Sequence, residues 1–242
     1  MKNETALQTE VRTATPDQMK DIYGLAIQAI PTKLSFETAQ SVIGSKSAFI
    51  AKIQELFPDP TTLSDPLAQW ETLYREEFGK TYNFSGVKIP EKKEGFTRLI
   101  IVAEGMTMNR VYDACKKRFL CWRYTDDMDT GIPTNDRTPT KTYTILVRDC
   151  VEADEELQNL SDDDLAEKHI TGITLLERML LELKYFRETG KHLDIQNITL
   201  CSASRLAVGR VPCARWYGSK FEVLWDFHDC RAPFLRSRAV SL

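Results

Sequence analysis

Three histidines, six cysteines and two acid-rich stretches are the residues that could support catalysis or metal binding in this 242-residue chain. Their spacing decides against it. His169, His192 and His228 stand too far apart for an H-x-x-x-H or HExxH pair, which would set two ligands on one helix face. The cysteines, at 115, 121, 150, 201, 213 and 230, form no CxxC, so neither a metal site nor a catalytic constellation is expected. Patterns that cradle phosphate or present a nucleophilic serine (GxxxxGK, GxGxxG, GxSxG) are missing as well. Asp126, Asp127 and Asp129 could hold a cation, but a turn is the expected reading. Seven carboxylates between residues 152 and 164 match no EF-hand loop and read as a solvated face.

The elements that would position any site belong to an ordinary globular chain. Hydrophobic residues make up 42% and charged residues 28%, well away from disordered composition. A net charge of −3 offers no general basic field for nucleic acid, which is not expected as a partner. The average conceals an asymmetry: from Cys201 onward seven Lys and Arg face three acids. The opening MKNETALQTEVRTATPDQ lacks the apolar core of a secretory signal, and the longest apolar run, residues 99–103, is too short to span a membrane. A cytoplasmic chain with free buried thiols is the expectation, with surface display through a partner left open.

Residues 1–93 read as a helical N-terminal region. Ile22, Leu25, Ala26 and Ile30 recur at helical spacing up to Pro31. A second stretch from Ser35 carries Val42, Phe49, Ile53 and Leu56, with Gly44 as a break. A third, residues 66–78, carries Leu67, Trp70 and Leu73 and stops at Gly79. The charged link Pro90-Glu-Lys-Lys-Glu-Gly95 marks the expected boundary, leaving residues 94–242 as a second domain. There, residues 99–103, 142–147, 198–201 and 221–225 read as strands, and a helix opens at Gly105. Residues 173–186 form a helix that is apolar nearly all round, hence buried. Strand, helix, strand, long helix and a run of short strands is an α+β arrangement.

The tail is where the pattern turns odd. Gly209, Val211, Pro212, Trp216, Phe221, Val223, Trp225, Leu235, Arg236, Ser237 and Arg238 read as strand or turn anchors, with the two tryptophans expected to pack beneath a face. Between them stand residues that look arbitrary: Leu206, Ala207, Val208, Arg210, Cys213, Arg215, Tyr217, Gly218, Ser219, Leu224, Asp226, Phe227, Cys230, Arg231, Ala232 and Phe234. His228 joins them. None of these is Gln, Met, Lys, Glu or Trp. That exclusion is the one an AAC codon randomised at both adenines would leave, since the resulting NNC codons encode none of those five. Across residues 206–234 only Lys220 and Glu222 come from Lys, Glu, Gln and Met.

Gly209-Arg-Val-Pro-Cys-Ala-Arg-Trp216, Phe221-Glu-Val-Leu-Trp225 and Leu235-Arg-Ser-Arg238 together resemble the variable proteins of diversity-generating retroelements. Gly172-Ile-Thr-Leu-Leu-Glu and Ile198-Thr-Leu-Cys-Ser-Ala-Ser-Arg205 add to the resemblance, which covers about residues 96–242. It implies a C-type-lectin fold of the formylglycine-generating-enzyme type, following the helical N-terminal region and carrying a variable C-terminal ligand-binding face. It also implies a reverse transcriptase that copies a template with errors at adenines, and a protein that does no chemistry itself. Glu222 and His228 depart from the family pattern. The sugar-and-calcium triplets of true lectins are absent, so sugar binding does not follow from such a fold.

The resulting expectation is a non-enzymatic binding protein with no cofactor. A protein surface is the ligand expected first and a small molecule second. Tyr217, Phe227, Phe234, Arg210, Arg215 and Arg231 are expected to lie exposed and close together, because aromatic and Arg side chains dominate contact energy at interfaces. The alternatives are an enzyme on the same fold and an adaptor acting through the helical region.

Overall fold

The computed structural model describes residues 65–242 throughout and, ahead of them, residues 20–24, 28, 31, 33–46 and 49. The chain divides into two compact units, Met1–Gln69 and Trp70–Leu242. In the first, helix α1 (Phe36–Gly44) begins after Ser35, whose hydroxyl accepts from the Thr38 N–H at 3.1 Å. That bond satisfies one donor the first turn leaves open. Gly44 is the last residue of α1, where a break was expected. Most of the remaining helical expectation before residue 65 lies outside the described residues.

Helix α2 (Pro66–Phe78) has the expected bounds, with proline at its first position and Gly79 in the left-handed region at φ +64°. Its Trp70, Leu73 and Tyr74 are buried. The Trp70 indole donates to the Leu99 carbonyl at 3.1 Å, and the Tyr74 hydroxyl donates to Ile101 at 2.8 Å. Those bonds tie Trp70 and Tyr74 to Leu99 and Ile101 within the unit that begins at Trp70.

The second unit runs β1 (Phe96–Val102), α3 (Met108–Arg118), β2 (Cys121–Arg123), α4 (Met128–Gly131), β3 (Thr134–Asn135), β4 (Tyr143–Arg148) and a single 3-10 turn at Glu155–Leu157. It continues with α5 (Asp162–Glu167), α6 (Leu175–Thr189), β5 (Ile198–Leu200), β6 (Ser204–Arg205), β7 (Val211–Tyr217), β8 (Lys220–Asp226) and β9 (Leu235–Ser237). This is an α+β architecture. β1 pairs antiparallel with β4, and β3 with β6. A mixed five-stranded sheet has the order β2-β8-β7-β5-β9, with β2 parallel to β8 and β5 parallel to β9. Helix α3 starts at Met108 rather than Gly105, because Thr107 is its cap and accepts from Arg110. Asp127 and Asp129 form the expected turn: Asp127 caps α4, and Asp129 accepts from Met108 at the start of α3 at 2.7 Å.

Helix α6 is the buried helix. Thr174 and Glu177 form a reciprocal capping box, so the helix opens at Leu175. Its residues are buried from Leu175 through Lys184, charged ones included. Arg178 and Glu182 pair at 2.9 Å with neither side chain exposed, and Arg178 also reaches Asp194 at 2.8 Å. Asp194, itself at φ +53°, takes a second guanidinium from Arg238 at 2.8 Å. Burial pushes the Asp194 carboxyl up, and Arg238 and Arg178 more than cancel that, holding it below the ordinary carboxylate value. The chain end is sewn in by bridges Gly172↔Ala239 and Leu146↔Ser241. A Cβ on Gly172 would meet the Ser202 Oγ at 1.7 Å, so any larger residue forces the Ser202 side chain to move.

The acid-rich connection is not the solvated face expected of it. Asp154 and Asp162 are buried, and the run supplies counter-charges to arginines just before it and far after it. Arg148 pairs with Asp154 at 2.6 Å, Arg205 pairs with Asp162, and Arg231 pairs with Asp164 at 2.7 Å. The basic excess of the tail is thereby matched inside the molecule. All six cysteines are free thiols, with Cys115, Cys201 and Cys213 buried.

Candidate ligand-binding face

Strands β7 and β8 form a hairpin paired from Val211↔Asp226 to Tyr217↔Lys220. Gly218 and Ser219 join them with φ of +57° and +67°, the left-handed pair a tight two-residue turn demands. Residues opposite one another in an antiparallel pair share a face, and alternate residues swap faces. Cys213, Arg215, Tyr217, Leu224 and Asp226 therefore lie on one face, the front. Pro212, Trp216, Phe221, Val223 and Trp225 lie on the back. Every strand position that looked arbitrary is in front, and every strand anchor of the hairpin except Val211 is behind.

The front is half covered. Val211 and Cys213 pack with Leu200 and Leu235 against Leu157 and Leu165, with Leu224 and Ala232 at the margin. Cys213 is 2% exposed and Leu206 is 8% exposed, so these two candidates are core residues. Burial pushes the Cys213 thiol well above its ordinary value, which makes it unreactive.

The open candidates separate along the hairpin. At the turn, Arg215 donates to Glu222 at 3.0 Å and lies over the Tyr217 ring at 4.3 Å, beside Gly218 and Ser219. Lys220 shares Glu222 at 3.0 Å, which explains a glutamate among the arbitrary positions: it neutralises two neighbouring cations. At the far end, about 20 Å away for strands of this length, stand Ala207, Val208, Arg210, Asp226 and Phe227. Gly209, at φ +77°, closes this loop by donating to the Leu206 carbonyl at 2.9 Å. Residues 227–234 then pass α5. His228 bonds Asp163 at 2.8 Å, and Arg231 grips Asp164 with two donors. Arg231 and the Ser161 backbone and hydroxyl hold the Asp164 carboxyl far below its usual range, and Asp163 raises His228. Cys230 and Ala232 are half-buried here, and Phe234 is exposed at the start of β9. The six aromatic and arginine residues expected to cluster thus sit at separate ends of the sheet, because hairpin geometry sends residues 217 and 227 apart.

The two tryptophans are half-buried rather than hidden beneath the face. Trp216 lies flat on the His192 ring, 3.3 Å between centroids, and His192 bonds the buried Glu182 at 2.9 Å. Trp225 carries Arg210 on its ring at 3.6 Å. Trp122, 43% exposed, was not foreseen: it stands opposite Glu222 in register, on the front face, with Lys220 above it at 5.7 Å. A three-residue strand has no periodicity to announce such a residue.

Two surface hollows of about 320 and 140 Å³ lie elsewhere, and neither is lined by a candidate residue, a histidine or a cysteine. Among the described residues, no three His, Cys, Asp or Glu converge as metal ligands would, and no helix is long and apolar enough to cross a membrane. No family model, curated protein or solved structure matches the chain.

Proposed function

We propose that this protein is a non-enzymatic ligand binder whose C-terminal surface is rewritten by retroelement mutagenesis at adenines, on a C-type-lectin-like domain. The observation that carries the reading is the alternation of β7 and β8. On these strands the arbitrary residues fall in front, and the anchors other than Val211 fall behind. The frame also stands apart from the candidates. Arg178, Asp194, Arg238 and Gly172 hold the interior together, and none belongs to the arbitrary set. A scaffold of that kind tolerates new side chains on its exposed loops and strand face. Binding is by a protein surface first, since exposed Tyr217, Phe227 and Phe234 with nearby arginines have the composition of an interface rather than of a small-molecule pocket.

Two display libraries test this. One carries NNC codons at the open positions 208, 215, 217, 227 and 234, and the other carries them at 212, 214, 216, 221 and 223. The first should stay folded in most members and yield binders to an arbitrary immobilised protein, while the second should mostly unfold. Equal unfolding in both would remove the reading. In the DNA around the gene, the expected companions are a near-identical repeat differing at adenines and a reverse transcriptase gene.

A further inference from the structure

We infer that Arg210, at the loop end of the hairpin and on the side of Trp225, is a binding anchor and that it takes a carboxylate side chain from a partner protein. This rests on the binding reading above and adds the chemistry of the ligand.

The tail holds seven Lys and Arg, and the structure assigns six of them. Arg205, Arg231 and Arg238 pair with Asp162, Asp164 and Asp194. Arg215 and Lys220 share Glu222, and Arg236 donates to the Ala153 carbonyl. Of these seven, Arg210 alone has neither a carboxylate nor a carbonyl on its guanidinium. It is held instead by rings: its guanidinium carbon is 3.6 Å from the Trp225 centroid and 5.0 Å from that of Phe227. At 3.6 Å the group must lie over the ring face, which leaves the N–H edge free for two parallel bonds to a carboxylate. The neighbouring Asp226 accepts from the Phe227 N–H at 2.8 Å, and its position opposite Val211 puts it on the other side of the hairpin from Trp225. Stacking restricts the side chain before any ligand arrives, so less rotamer freedom is lost on binding. Val208, 73% exposed, and Phe227, 53% exposed, supply the apolar rim that excludes water from such a contact.

A phosphate chain would use the same fork, but the surroundings disfavour it. Asp163 is 56% exposed, Asp229 lies in the adjacent loop, and the chain carries net charge −3. A polyanion would meet these carboxylates, whereas one carboxylate flanked by apolar residues would not.

The test is a selection of a random peptide display library on the full chain, with the winning peptide then synthesised and titrated. Winners should carry Asp or Glu beside an aliphatic or aromatic residue. Arg210→Gln should weaken the winner about tenfold or more, Arg210→Lys should recover part of the loss, and Lys117→Gln, at an exposed residue of α3 outside the candidate face, should change it by less than about twofold. Unchanged melting curves establish that the variants fold. Winners without acid, winners indifferent to Arg210→Gln, or tighter binding of an oligothymidylate probe at this site would each overturn the inference. Hydrogen exchange separates that failure from failure of the binding reading. Protection at residues 215–220 sinks only the Arg210 assignment. Protection outside residues 206–234, or no winner at all, sinks both.

Discussion

Two aspartates hold the C-terminal segment, and they do so in opposite environments. Asp194 is fully buried between Arg178 and Arg238, while Asp164 meets Arg231 at the surface, where that arginine is 53% exposed. The geometry is comparable, with contacts of 2.7–2.8 Å in both. The consequences are not. A buried carboxylate removed from two guanidiniums leaves charge in a medium that cannot solvate it, whereas water replaces a lost surface partner. The difference separates what fixes the fold from what decorates it, and it coincides with the division between anchors and arbitrary residues. Arg238 belongs to the first class and Arg231 to the second.

The sharpest way to break this comparison is Asp194→Ala, which should cost about 3–5 kcal/mol in a urea melt. A loss below about 1 kcal/mol would mean the buried system is not the keystone. The carboxyl sits below its ordinary value, so its contribution should be intact above that value and vanish only as pH falls through the lowered one. Next is Gly172→Ala, whose methyl group would strike the Ser202 hydroxyl; overpacking of this kind costs about 1–3 kcal/mol. Tyr217→Ser, at a residue 59% exposed, should cost under about 1 kcal/mol, and a larger loss would move the hairpin turn from face to frame.

The smallest effect is the most specific. Asp163 raises the His228 pKa above the ordinary 6.5, so the clasp of loop on α5 is strongest below that value. It should weaken as pH rises through the raised folded value. An NMR titration should show the elevated pKa in the native chain and its return toward ordinary in Asp163→Asn. No change between the two would remove the clasp.

Much of the frame was legible because it is written in local pattern. The continuous apolar run at Leu99–Val102, the all-round apolar helix after Thr174, and the Pro66 start and Gly79 stop of α2 each sit near the expected place. The strand at 221–225 was legible in the same sense and falls within β8. The misses share a different cause: partners brought together over long stretches of chain. Asp162 and Asp164 read as solvated because Arg205 and Arg231 stand 43 and 67 residues away. Cys213 and Leu206 read as open because nothing local announces that Leu157 and Leu165 cover Cys213. Trp70 and Tyr74 spend their polar atoms on β1, bonds that the helical spacing of α2 cannot reveal.

The turn at Gly218 and Ser219 carries a consequence for the gene. Ser219 holds a left-handed backbone, φ +67°, that most side chains resist, and that asparagine, aspartate and glycine accept best. All three are spelled by triplets ending in C. Under the proposed mutagenesis at adenines, asparagine is AAC itself, the triplet before any miscopying, so the unaltered message and the turn would ask for the same amino acid. A copy that kept asparagine here would keep its hairpin closed, while one that acquired valine or isoleucine would inherit a turn working against its own backbone.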